Sequence, residues 1–143
     1  MEDLFELLTA KDTKEAMTAF KQLEVEASTA PIYADDLASF LPALNTSRSC
    51  GRGRTFKFFM INARWDSQKF IETHLEEILA VLDDSKAPVV RQCIPYLAHL
   101  AQAKPELVPT IKTKLANLDL SQYKESMRSL IERDSAKLLA EID

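Results

Sequence analysis

Three stretches of this chain follow one plan, and their spacing limits what it can fold into. Leu44-Asn45-Thr46-Ser47 is followed by Arg54, Leu82-Asp83-Asp84-Ser85 by Arg91, and Leu118-Asp119-Leu120-Ser121 by Arg128, so that the arginines stand 37 residues apart in both intervals. A period of that size marks stacked helical units, none of which can bury its apolar face alone. The residues between agree with this. Phe70, Ile71, Leu75, Ile78, Leu79 and Leu82 form one stripe at helical spacing, with Lys69, Glu72, Glu76 and Glu77 largely opposite. Leu107, Val108, Ile111, Leu115 and Leu118 repeat the pattern behind Lys104-Pro105-Glu106, where proline suits a first helical turn. Runs that alternate apolar and polar residues, as a half-buried strand requires, scarcely occur.

The breaks between helices fall near 10–13, 28–31, 45–47, 65–67, 83–85, 104–105 and 119–121, and most offer Ser, Thr, Asp or Asn as an N-cap. They predict an all-α fold of about eight helices, over 2–10, 13–28, 32–44, 48–64, 67–82, 86–103, 105–117 and 121–141, with connections short enough to make neighbours antiparallel. At 143 residues the chain suits one domain, since domains cluster near about 100 to 150 residues. Its helix pairs would span approximately 1–30, 31–66, 67–104 and 105–143.

The run from Ile78 to Cys93 also resembles the HEAT-repeat pattern. It has an apolar first helix (Ile78-Leu79-Ala80-Val81-Leu82), a turn containing Asp83 and Asp84, and Val90-Arg91 opening a second helix. The likeness is good over 67–103, fair over 31–64 and 105–142, and poor over 1–28, where Met17 stands at the arginine position and the unit reads as an N-terminal cap. This armadillo-type resemblance implies a right-handed α-α superhelix of about four helix pairs, with second helices lining a concave surface. It also implies that Arg91 and Arg128 are held by Asp83, Asp84 or Asp119. Asn45 stands where the later units have Asp83 and Asp119, so Arg54 is expected to lack a full counter-charge and to be free to bind something.

Charge singles out one segment. Residues 1–47 carry 3 basic and 9 acidic side chains, whereas residues 48–70 carry 6 basic and 1 acidic. Both glycines of the chain, Gly51 and Gly53, flank Arg52 in that basic segment. Glycine weakens a helix by about 1 kcal/mol relative to alanine, so two in one turn call for a reason. Either two helices cross closely there, or the backbone meets an anion at a helix N-terminus with Arg48, Arg52 and Arg54 around it. Lys57 and Arg64 share one helical stripe and would extend the basic patch. Phe56, Phe58, Phe59, Met60 and Ile61 read as core, and Trp65-Asp66 as core plus cap. The residues expected to meet an anionic or protein partner are therefore Arg48, Arg52, Arg54, Lys57, Arg64, Trp65, Asp66, Arg91 and Arg128.

The sequence argues against catalysis. His74 and His99 are solitary, and Glu76-Glu77 and Asp83-Asp84 read as solvated or turn residues rather than a converging acid/base pair. No phosphate-binding loop, nucleophile elbow, HExxH or dinucleotide motif occurs. Cys50 and Cys93 lack metal-ligand spacing and read as two buried thiols, with no metal and no cofactor implied. The acidic N-terminus and the absence of a long apolar run point to a cytoplasmic protein without a membrane segment. The expectation is a non-catalytic binding or scaffold module for a protein or peptide, monomeric or weakly dimeric. The second expectation is nucleic-acid binding or DNA repair, from similarity of architecture to HEAT-like DNA alkylpurine glycosylases. Trp65-Asp66, with Asp134 on another inner helix, would stand for their acidic and aromatic residues there. The chain is shorter than those enzymes, acidic overall at net charge −4, and carries no motif distinctive of them.

Overall fold

The computed structural model describes residues 2–142, and side chains from Asp3 onward; Met1 and Asp143 of the expected 1–143 domain lie outside the described residues. Every regular element described is helical. The α-helices are α1 (Glu2–Thr9), α2 (Lys14–Thr29), α3 (Leu37–Phe40), α4 (Ser49–Asn62), α5 (Phe70–Thr73), α6 (Leu75–Leu79), α7 (Ala87–Cys93), α8 (Leu97–Ala103), α9 (Val108–Ala116) and α10 (Glu125–Ile142), joined by short 3₁₀ turns. No described helix is long and apolar enough to cross a membrane.

Local chemistry explains where the helices differ from those expected. The element foreseen over 32–44 is α-helical only across α3, then tightens into a 3₁₀ turn at Leu41–Asn45 around Pro42. Proline cannot donate the backbone bond that would continue an α-helix. The helix foreseen over 67–82 begins at Phe70, because Lys69 adopts a left-handed conformation (φ 56°), and it breaks again at His74 between α5 and α6. Pro95 divides the helix foreseen over 86–103 into α7 and α8 with a 3₁₀ turn between them. Thr13 caps α2 as its residue type suggests, its hydroxyl accepting from the Ala16 N–H at 3.0 Å.

The core is centred on α4. Phe56, Phe58, Phe59 and Met60 are fully buried, and Phe58 makes edge contacts with Tyr33, Phe40 and Phe59 at ring separations of 5.2–5.6 Å. A helix apolar on nearly every side must be surrounded. On one side α4 meets α1, α2 and the Leu41–Asn45 turn, and on the other it meets α7 and α8, which in turn pack on α10. One hydrophobic cluster runs through all of these, from Leu8 to Leu138.

Gly51 marks where the first helix crosses the fourth. A Cβ there would stand 2.8 Å from Thr46 Cγ2, 3.0 Å from the Leu8 carbonyl oxygen and 3.2 Å from Thr9 Cα, so only glycine admits α1 at this distance. Gly53 faces α7 with more room, 3.4 Å from Val89 Cγ1.

Candidate functional site

The arginines at the start of α4 turn inward to the protein's own oxygens. Arg52 Nε donates to Asp84 at 2.6 Å, and its Nη1 donates to the Thr46 and Ser47 carbonyls at 3.0 and 3.2 Å. The bond to Asp84 raises the Arg52 pKa further, with burial opposing. The expectation that Arg54 lacks a counter-charge is corrected. Arg54 is buried, its Nη1 reaches the Leu7 and Ala10 carbonyls at 2.7 and 2.9 Å, and its Nη2 pairs with Asp12. Leu7 lies in the last turn of α1 and Ala10 follows that helix, so Arg54 adds a charged cap to the C-terminal end of α1 beside the Ala10 N–H, which donates to the Leu7 carbonyl at 3.3 Å. Arg48 remains exposed.

Further along, the partners again differ from those expected. Arg91 pairs with Asp134 at 2.8 Å rather than with Asp83, Asp84 or Asp119, and that bond raises its pKa. Asp83 holds Lys114, and Asp119 accepts from the Ser121 N–H at 3.0 Å. Arg128 is half-buried with its Nε lacking a partner. Asp66 accepts from the Phe70 and Ile71 N–H groups at 3.0 and 2.8 Å, capping α5 as its type suggests. It also faces the buried Lys104 ammonium at 3.3 Å, while Glu72 lies 2.7 Å from the same nitrogen. Burial works against the Lys104 charge, yet bonds to Glu72 and Asp66 raise its pKa overall. The Trp65 indole N–H donates to the Ala27 carbonyl. Cys93 is buried, and desolvation pushes its thiol up to about 12; Cys50 is only half-buried, which corrects the reading of two buried thiols.

Two further cations of the basic segment, Lys57 and Arg64, lie on the seam between α4 and α7–α8. Lys57 Nζ donates to Gln92 Oε1 at 3.1 Å and stands 5.4 Å from the Tyr96 ring. The Tyr96 hydroxyl donates to Glu24 at 2.8 Å, and burial together with that carboxylate raises its pKa. Two turns on, the Arg64 guanidinium stands 5.1 Å from the Trp65 ring. His99 follows Tyr96 on the same side, with ring centres 5.6 Å apart. Burial lowers the His99 pKa, Glu24 opposes this, and Arg64 adds to the lowering. Two clefts of roughly 310 Å³ open here. One lies among Met60, Ile61, Arg64, His99, Gln102 and Ala103, and the other includes Met17, Phe20, Lys21, Lys57, Gln92 and Tyr96.

The structure thus joins Lys57 and Arg64 in one seam and gives Arg52, Arg54, Asp66 and Arg91 internal partners. Sequence reasoning missed Glu24, Gln92, Tyr96, His99 and Gln102. The signal available was the stripe of Gln92, Tyr96, His99 and Ala103 at helical spacing, which gains meaning only once the neighbouring face is known. No group of three or more His, Cys, Asp or Glu among the described residues is placed to hold a metal ion. Comparisons with protein-family models, with curated proteins and with solved structures found no match.

Proposed function

We propose that this chain is a non-catalytic binding module that presents the face made by α2, α4, α7–α8 and α10 to a protein or peptide partner. One observation carries the reading. Arg52, Arg54, Arg91 and Lys104 each have an Asp or Glu partner, whereas Lys57 and Arg64, on the open seam, have no ion pair among the described residues and contact only Gln92 or aromatic rings. A cation without an acid partner beside an open cleft keeps its charge uncompensated and its donors available to a ligand. The architecture beneath this reading is a right-handed HEAT-like solenoid of four helix pairs within one cytoplasmic domain. The 37-residue spacing of Arg54, Arg91 and Arg128 and the packing of α4 on α7–α8 and of α7–α8 on α10 support it.

Photocrosslinking tests the face. A crosslinking residue at Gln92 or Gln102 should trap a partner in cell extract, and one at Ala38 or Glu106, exposed on other elements, should not. Equal adducts from all four positions would sink the assignment. Labelled duplex and single-stranded DNA form the second arm. Binding that falls steeply with salt and is lost in Lys57→Gln/Arg64→Gln would move the reading to nucleic acid.

A further inference from the structure

We propose that the seam between α4 and α7–α8 takes an extended acidic peptide, with a side-chain carboxylate among Arg64, His99 and Gln102 and an apolar side chain about three residues away against Met17, Phe20 and Tyr96. The inference rests on the binding-module reading and names the partner's chemistry.

The first cleft supplies hydrogen-bond donors, and the one acid that acts on them, Glu24, is outside its lining and accepts from Tyr96. Arg64, His99 and Gln102 reach it from α8 and the turn after α4, over a wall of Met60, Ile61 and Ala103, and none of its lining residues is Asp or Glu. A guanidinium with a second donor beside it suits a planar carboxylate, and the partly enclosed site strengthens that contact relative to bulk water. Packing of Arg64 near Trp65 limits the side-chain freedom that binding would otherwise remove.

The second cleft offers an apolar surface at Met17, Phe20 and Tyr96, and its acids each have a partner. Met17 is 52% exposed and Phe20 lies behind it. Of the two carboxylates lining this cleft, Asp12 is paired with Arg54 and Glu24 accepts from Tyr96. Lys21 and Lys57 therefore leave the opening positive.

Spacing connects the two. Lys57 and Arg64 are seven residues apart on the stretch that α4 begins, about 10 Å at a rise of about 1.5 Å per residue. An extended peptide covers that distance in about three residues. Charge decides between an isolated carboxylate and a polyanion. The flanking residues 1–47 carry 9 acidic against 3 basic side chains, a field that repels a continuous phosphate backbone while tolerating one or two carboxylates.

The test is selection from a display library of random dodecapeptides on the full chain, followed by titration of synthetic peptides. Selected sequences should share Asp or Glu with Leu, Met or Phe three positions away. Replacing the acid by its amide should weaken binding at least tenfold, Arg64→Gln should do the same, and Met17→Glu should remove the preference for an apolar residue. Arg64 has no ion pair to lose, and the amide peptide tests the carboxylate with the protein unaltered. Selection without an acidic preference, or acidic peptides that bind Arg64→Gln equally well, would overturn the proposal. Non-acidic peptides that crosslink to Gln92 or Gln102 would do so while leaving the binding face intact, and a library yielding no peptide for this face would sink both readings. Phosphate-dependent capture of duplex DNA at the seam would likewise reject the peptide.

Discussion

Gly51 and Gly53 differ in what stands opposite them, and the same substitution should separate them. Gly51→Ala places a methyl against Thr46 Cγ2 and the Leu8 and Thr9 backbone of α1, and should cost about 1–3 kcal/mol in urea unfolding. Gly53→Ala meets only ordinary contact with Val89 and gains up to about 1 kcal/mol of helix propensity, so its stability should be unchanged or raised. A close crossing was legible here, because two glycines inside one helical turn need such a reason. The role of Arg54 was not, since its acceptors are mainly the Leu7 and Ala10 carbonyls, which no residue type announces. His99 yields a prediction about pH. It is faced by Glu24 from α2, Arg64 from α4's extension and Tyr96 on its own side, and its pKa lies below the usual 6.5. The unfolded chain therefore takes up this proton first, and stability contributed here is lost as pH falls through 6.5 and on through the folded value. A bound carboxylate raises that folded value. Affinity for an acidic peptide should thus increase from pH 7.5 to 5.5 in the native protein and stay flat in His99→Gln, as anisotropy titrations would report.

Elements are tied together by charges whose partners lie far away in sequence. Arg54→Met removes the charged donor from the end of α1 and should cost about 2–3 kcal/mol, given what hydrogen bonds to charged groups contribute. Amide exchange should quicken in α1 ahead of the other helices. Lys104→Met strands Asp66 and Glu72 beside an apolar tail, and removing one partner of a buried pair costs about 3–5 kcal/mol; chemical denaturation measures it. Helix positions were legible because apolar spacing, prolines and capping residues report local geometry. The interruptions at Lys69 and His74 were not, since neither residue type marks a break and the stripe from Phe70 to Leu82 runs across His74 without loss of period. The ion pairs escaped for another reason. The resemblance implied that Arg91 and Arg128 would find an acid in an Asp-bearing turn, whereas Arg91 reaches 43 residues ahead to Asp134 on α10.

Across the whole molecule burial is uneven. Only four of the 16 residues of α2 are buried, against ten of the 14 in α4, so opening should begin at the N-terminal helices. Hydrogen exchange should show α1 and α2 exchanging before α4, α7 and α8, and uniform protection would contradict this. The large exposed apolar side chains, Phe5, Met17, Val25 and Ile32, all lie in the same N-terminal quarter. At the other end of the chain Ile131 and Leu138 of α10 are buried and Met127, Leu130 and Ile142 half-covered. Stacked helical units can unfold one at a time when each touches only its neighbours. The turn before α7 opposes that modularity, because the Asp84 carboxylate holds Arg52 of α4 while its carbonyl accepts from the Tyr123 hydroxyl ahead of α10. One residue therefore carries information in both directions along the chain. Removing or exchanging the segment that carries Arg52 or Tyr123 would leave half of that junction without its counterpart, so neither neighbour of this turn can be lost or replaced independently of it.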